Sequence, residues 1–286
     1  MNRQKSFDTK QPTLYLVATP IGNLEEMTVR AVNVLKEVDC IAAEDTRNTL
    51  KLLNHFDIKA KLISHHEHNW KNSIPGIIEM LSQGQSIALV SDAGYPAISD
   101  PGTELVQAVI EAGYAVVPIS GPNACLNALV VSGINPQPFT FYGFLDHLDK
   151  NKKKQLEVLK THPYTLVFYE SPYRIEKTLK LMLEIFGDRQ IALCREITKR
   201  HEEIIRGTIS EVIEIEDELK GEMVLVVEGC TNQEEQQEEV NVVVEVQKLI
   251  DEVMHSKEAI KQVAKKFNLK KNDVYASYLE SKEELS

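Results

Sequence analysis

Cysteine is scarce in this chain of 286 residues: Cys40, Cys125, Cys194 and Cys230 are far apart and none forms a Cys-x-x-Cys pair. Such spacing argues against a zinc site and against a disulfide framework, and the four read as small buried residues near strands. Also absent is any apolar run near the roughly 18 residues of a membrane span. Residues 1–12 are polar and lack the apolar core of a signal peptide, so the expected location is the cytoplasm. Neither G-x-x-x-x-G-K-[ST] nor G-x-G-x-x-G occurs, which removes the two common phosphate-cradling loops. No internal repeat is present.

The net charge of −11 looks unfavourable to a nucleic-acid partner. Its distribution says otherwise. Residues 202–239 hold 13 acidic and 2 basic residues, and the rest of the chain, with 30 of each, is neutral. Basic residues cluster at 150–154 and 257–271. Local patches of that kind leave room for RNA.

Residues 13–18 are apolar and β-rich and predict a buried strand, ended by Thr19-Pro20-Ile21-Gly22-Asn23. Thr28 suits the N-cap of a helix through 38. Strands are expected at 40–43, 61–64, 86–90 and 115–119, with a helix after Glu44-Asp45-Thr46-Arg47 and another over 73–83. Asp100 as N-cap and Pro101 at the first helical position open a helix to 112. This alternation is the pattern of an α/β fold, a mainly parallel sheet with helices on both faces. Strands at 139–143, 165–169, 190–195 and 223–228, with a helix over 173–186, make a second unit. The expected organisation is an α/β domain at 13–122, a second at 123–230, an acidic linker at 231–245 and a small helical module at 246–286. In that module Ala259, Val263 and Phe267 form an apolar stripe that Val274 and Tyr278 resume. Helix, short turn, helix is one reading, similar to a helix-turn-helix; a packing or dimerising tail is the other.

Three Gly/Pro-punctuated loops follow predicted strands: residues 19–23, 91–102 and 120–123. In open α/β sheets ligands sit beyond the carboxyl ends of the strands. Loops of small residues let a ligand approach the backbone closely, and Asp92 can serve an ammonium or a ribose hydroxyl. Each loop alone reads equally well as a turn; three at equivalent places do not.

The motifs in these loops resemble a known family. They are Leu14-Tyr15-Leu16-Val17-Ala18-Thr19-Pro20-Ile21-Gly22-Asn23-Leu24, Ala43-Glu44-Asp45-Thr46-Arg47, Val90-Ser91-Asp92-Ala93-Gly94-Tyr95-Pro96, Ile98-Ser99-Asp100-Pro101-Gly102 and Ser120-Gly121-Pro122-Asn123-Ala124. Later ones include Phe141-Tyr142-Gly143-Phe144-Leu145, Tyr169-Glu170-Ser171-Pro172-Tyr173-Arg174, Arg195-Glu196-Ile197-Thr198-Lys199 and Gly221-Glu222-Met223-Val224-Leu225. Over roughly residues 13–229 the chain is similar to the ribosomal RNA small subunit methyltransferase I family of the tetrapyrrole-methylase superfamily. Tyr95 departs from that pattern, which has Thr there. The resemblance implies two α/β domains with S-adenosylmethionine in the cleft between them, and methylation of a cytidine ribose 2′-hydroxyl in 16S ribosomal RNA of the 30S subunit. It also implies a homodimer and no metal. Carried over by position, Pro20, Ile21, Asp92, Gly94, Tyr95, Ser120, Asn123 and Ala124 line the cofactor site.

Positioning of the reacting atoms supplies much of such a transfer, and a base or alkoxide stabiliser helps a weakly acidic hydroxyl. Glu44-Asp45-Thr46-Arg47 offers a carboxylate pair and an arginine at a strand end, or simply a helix cap. His65-His66-Glu67-His68-Asn69 has metal-like residue types without H-E-x-x-H spacing and reads as a solvated loop. Arg195-Glu196 with Lys199 reads equally as a structural ion pair. Arg47, Glu170 and Lys199 are the candidates for catalysis, and Arg47, Arg174, Lys152 and Lys153 for RNA contact; the residues alone do not assign the base. Two other functions stay open: a methyltransferase for a tetrapyrrole-like small molecule, and a non-catalytic RNA-binding, ribosome-associated protein.

Overall fold

Five short apolar segments build the first sheet: β1 (Thr13–Val17), β2 (Cys40–Ala43), β3 (Lys61–Ser64), β4 (Ile87–Val90) and β5 (Ala115–Ile119). Their order is β3-β2-β4-β1-β5 and every pairing is parallel. β2 and β4 are buried at all four positions, as strands covered on both faces must be. The alternation of side chains divides β1 between two cores. Val17 joins Leu35, Ile41 and Ile119 on one face, and Leu14 joins Leu81, Ile87 and Leu105 on the other. The computed structural model describes residues 3–6, 11–100, 102–215, 219–231, 242–251, 255–267 and 271–283.

The connecting helices are α1 (Val29–Glu37), α2 (Thr46–His55), α3 (Trp70–Ser82) and α4 (Thr103–Glu111). Thr28 caps α1 by accepting the Ala31 N–H, and Asp45 caps α2 by accepting the Arg47 N–H. The expectation for α4 is corrected. Gly102, not Asp100, occupies its N-cap. Ala97 and Ser99 have φ of 68° and 62°, and Gly102 has 148°, so the backbone takes a left-handed path that holds Asp100 in the loop. Pro101 lies outside the described residues.

The second sheet contains β6 (Phe139–Phe144), β7 (Thr165–Glu170), β8 (Gln190–Arg195), β9 (Glu203–Thr208) and β10 (Met223–Val227), in the order β6-β7-β10-β8-β9. Only β6 and β7 run parallel; the other three pairings are antiparallel. β9 was not expected, because it is an edge strand with Glu203 and Arg206 inside the acidic stretch. Helices α5 (Ala124–Val131), α6 (Asp149–Leu159), α7 (Ile175–Phe186) and α8 (Ile209–Ile213) accompany this sheet. The basic cluster at 150–154 lies within α6. There Lys152 shares the inward stripe of Leu156 and Leu159, at i, i+4 and i+7, and all three are buried.

Residues 160–163 and 230–286 form a separate compact unit. Its helices α9 (Val242–Asp251), α10 (Ser256–Lys266) and α11 (Lys271–Glu283) pack around Val246, Ala259, Val263, Val274 and Tyr278. α9 begins inside the stretch read as linker; residues 232–241 and 268–270, where the short turn was expected, lie outside the described residues. Among the described residues no helix is long and apolar enough to cross a membrane.

Candidate functional site

The order β4-β1-β5 sets three carboxyl ends side by side, so the loops leaving them are neighbours. Hydrogen bonds tie the loops together. The Thr19 N–H donates to the Gly94 carbonyl at 2.9 Å and the Gly94 N–H returns to the Thr19 carbonyl at 3.0 Å. The Thr19 hydroxyl donates to the Ser91 carbonyl at 3.1 Å. The Gly121 N–H donates to the Tyr95 phenol oxygen at 3.2 Å, so the residue that departs from the expected Thr joins the second loop to the third. Gly121 has no room for a side chain: a Cβ there would lie 2.7 Å from the Cβ of Ala18.

These loops form one side of a cavity of about 400 Å³. Six of the eight expected cofactor residues border it: Ile21, Asp92, Gly94, Tyr95, Asn123 and Ala124. Pro20 borders a second cavity of about 220 Å³, together with Asn48, Lys51 and Asp92. Ser120 borders neither; its carbonyl accepts the Thr28 hydroxyl at the start of α1. The far wall of the larger cavity comes from the second sheet, through Phe144, Tyr169, Cys194, Glu222 and Met223.

The cavity is acidic. Glu44 at the end of β2, Asp92 after β4 and Asp100 border it from the first sheet. Burial, then the charges of Glu44 and Asp92, push the Asp100 carboxyl up to about 6, against the nearby Ser91 hydroxyl. Burial also raises Glu44, whose carboxylate is 3.4 Å from the Asp92 N–H. Asp92 accepts the Asn48 side-chain amide at 3.0 Å. Burial pushes the Tyr169 phenol up to about 12, with Asp100 contributing, so Tyr169 is a neutral hydroxyl in this wall.

Several expected roles need correction. Glu170 borders the cavity, but its side chain is only 1% exposed and fully engaged. It receives the Ser171 N–H at 2.9 Å and the Thr178 hydroxyl at 2.6 Å, and pairs with Arg174 Nε at 2.9 Å and Lys152 Nζ at 3.8 Å. A carboxylate so surrounded has no lone pair left for a substrate proton. Arg174 is turned inward to this carboxylate and to the Leu145 carbonyl at 2.7 Å, and so braces the fold rather than reaching for RNA. Lys152, with 1% of its side chain exposed, donates to the Thr178 hydroxyl at 2.8 Å and cannot reach RNA. Lys153 is half-exposed and paired with Glu184. Lys199 is paired with Glu196 at 2.9 Å and Glu222 at 3.0 Å. Burial pulls its pKa down, but the two carboxylates outweigh it and leave the ammonium above its usual value, so it is no base.

Arg47 is largely exposed at the start of α2, beside Asp45, whose carboxyl it holds far below the usual range. His65 is not in a solvated loop. It is buried with Nδ1 2.8 Å from the Ser73 hydroxyl, and burial lowers its pKa. Among the described residues no group of three His, Cys, Asp or Glu is placed to hold a metal ion. Sequence reasoning missed Asp100, Tyr169 and Glu222 as wall residues. The available signal was a second carboxylate, eight residues after Asp92, in a loop already singled out.

Residues 13–213 match the family model of the tetrapyrrole (corrin/porphyrin) methylases. The ribosomal RNA small subunit methyltransferase I of Bacillus subtilis strain 168 is 53% identical over 287 residues, covering 97% of this chain and 98% of that protein. The protein of the same name from Escherichia coli O157:H7 is 45% identical over 240 residues, covering 82% and 84%. Among solved structures, a cobalt precorrin-4 methyltransferase of cobalamin biosynthesis has a TM-score of 0.58 at 15% identity, covering 76% of this chain and 94% of its own. A diphthine synthase has a TM-score of 0.58 at 12% identity, covering 78% and 92%. These two structures share the fold. The sequence relatives go further: the chain belongs to the ribosomal RNA small subunit methyltransferase I family, within the tetrapyrrole methylases.

Proposed function

We propose that this protein transfers a methyl group from S-adenosylmethionine to the ribose 2′-hydroxyl of a cytidine in 16S ribosomal RNA, with the 30S subunit as substrate, acting as a cytoplasmic homodimer. The observation that carries the reading is the acidic cavity of about 400 Å³ at the carboxyl ends of β4, β1 and β5, in a chain about half identical to named ribosomal RNA methyltransferases. That volume suits a nucleoside-sized ligand. A sulfonium and an ammonium are cations, and Glu44, Asp92 and Asp100 complement them. When bound, the cofactor supplies an electrophilic methyl group on a positively charged sulfur. Ile21, Asp92, Gly94, Tyr95, Asn123 and Ala124 hold it, while Pro20 and Ser120 shape the loops behind them. Exposed Arg47 contacts the RNA backbone, for which a guanidinium is well suited.

A small-molecule acceptor of tetrapyrrole type is the weaker reading, because the relatives named for such substrates share only the fold at 15–20% identity. Isothermal titration with S-adenosylmethionine should give 1:1 binding per chain; no binding would sink both enzymatic readings. Incubation of isolated 30S subunits with labelled S-adenosylmethionine, followed by nuclease digestion and mass spectrometry, should place the label on a ribose. Label on a base, or none on ribosomal RNA, overturns the acceptor assignment.

A further inference from the structure

We infer that Asp100 is the general base that takes the proton from the acceptor hydroxyl, a role that rests on the methyl-transfer reading above. Of the other carboxylates bordering the cavity, Glu170 and Glu222 are held by cations, whereas Glu44, Asp92 and Asp100 each have a neutral hydrogen-bond donor beside them, from the Asp92 N–H, Asn48 and Ser91 respectively. Asp100 borders the same cavity and has no cation partner among the described residues.

The loop that carries Asp100 links the two sheets. Ser99 lies against β6, where a Cβ on Gly143 would meet the Ser99 hydroxyl at 3.5 Å. Asp100 therefore stands between the acidic pair of the first sheet and Tyr169 of β7, two sides of one cavity. The charged and titratable groups facing it are the Glu44 and Asp92 carboxyls and the neutral Tyr169 phenol. Burial, then the nearby Glu44 and Asp92 carboxyls, make this carboxylate more basic and push it up to about 6. A base poised just below the working pH is mostly ionised yet still accepts a proton.

The step balances. The 2′-oxygen forms its bond to the methyl carbon as the carbon–sulfur bond breaks, with that electron pair going to sulfur. The hydroxyl proton passes to an Asp100 carboxylate oxygen. One positive charge on sulfur and one negative charge on Asp100 disappear together, and the acidic cavity then holds a neutral thioether less tightly than the cation it replaced.

The test uses the full-length protein and three measurements. First, carbon-13 NMR titration of aspartate-labelled protein without ligand should show a carboxyl midpoint near 6. That midpoint should vanish in Asp100→Asn and move lower in Glu44→Gln, which removes one facing charge. Second, titration calorimetry should give Asp100→Asn a weaker but measurable affinity for S-adenosylmethionine, because one of three carboxylates facing the cation is lost, so the transfer rate can still be read at saturation. Third, single-turnover methylation of 30S subunits at saturating S-adenosylmethionine should fall on the order of 10²–10⁴-fold in Asp100→Asn. The parent rate at saturating S-adenosylmethionine should show an acid limb below the midpoint of the free protein, because the bound cation favours the ionised carboxylate, and the limb should move lower still in Glu44→Gln. An unchanged rate in Asp100→Asn, loss of cofactor affinity with the saturated rate intact, or no acid limb in the parent each overturns the inference. If the parent binds no S-adenosylmethionine, the methyl-transfer reading fails instead, and that result precedes and is distinct from the others.

Discussion

Asp100 shows how one side chain couples site to stability. Its carboxyl titrates near 6 in the folded protein and about 3.9 in an unfolded chain. The folded state therefore holds the proton more tightly. The associated stability is fully present below about pH 4 and is lost as pH rises toward 6. Asp100→Asn removes the group that must ionise, so its melting temperature should exceed the parent's at pH 8 and match it below pH 4. Thermal unfolding across that range checks this, and an equal offset at every pH would refute it. Gly121 is a steric counterpart. Gly121→Ala forces a Cβ to 2.7 Å from the Ala18 Cβ and 3.2 Å from the Ala18 carbonyl oxygen, and neither atom can move without its backbone. The expected cost is about 1–3 kcal/mol by denaturant unfolding, with weaker binding of S-adenosylmethionine as the third loop shifts.

At the level of elements, α6, β7 and α7 meet at one buried ionic network. Lys152 comes from α6, Glu170 from the end of β7, and Arg174 and Thr178 from the start of α7. Lys152, Glu170 and Thr178 are buried, so removing one charge leaves its partner uncompensated. Glu170→Gln removes the carboxylate paired with the buried Lys152 ammonium and should cost about 3–5 kcal/mol. Urea titration should show the midpoint fall with an unchanged slope. Lys152→Met in the same background should recover part of the loss, because the stranded charge is then gone; no recovery would mean that the pair is not the cause. This network was illegible beforehand for a specific reason. Lysine is almost never fully buried, and a run of lysines at 150–154 reads as a solvated patch. Only the partner carboxylate, 18 residues on in β7, makes the inward position tolerable.

For the whole molecule, the issue is how a chain of charge −11 engages RNA. In the C-terminal unit, Lys257, Lys261 and Lys265 recur every fourth residue along α10, a spacing that places them on one face, and all are exposed. Reversing all three to glutamate should weaken binding to 30S subunits about equally for any RNA sequence. It should also reduce the slope of log affinity against log salt by roughly 2–3, as expected for three phosphate contacts. Binding of S-adenosylmethionine should be unchanged. A salt slope equal to the parent's would exclude this face from the RNA contact.

Local features of the chain were enough for the first sheet. Apolar strands, Thr28 and Asp45 as caps, and the alternation of strand and helix need only neighbours a few residues away, and they led to β3 and β5 at the observed bounds. The three loops were legible on the same ground, since glycine and proline act within a turn. Other features depended on distant partners. The edge strand β9 is held by pairing with β8, the cavity's far wall comes from β7 and β10, and Lys152 is neutralised from across the core. Asp100 illustrates the division best. Its position before Pro101 and Gly102 reads locally as a helix cap. Packing of the left-handed loop against β6 instead kept it out of the helix and left its carboxyl among other carboxylates.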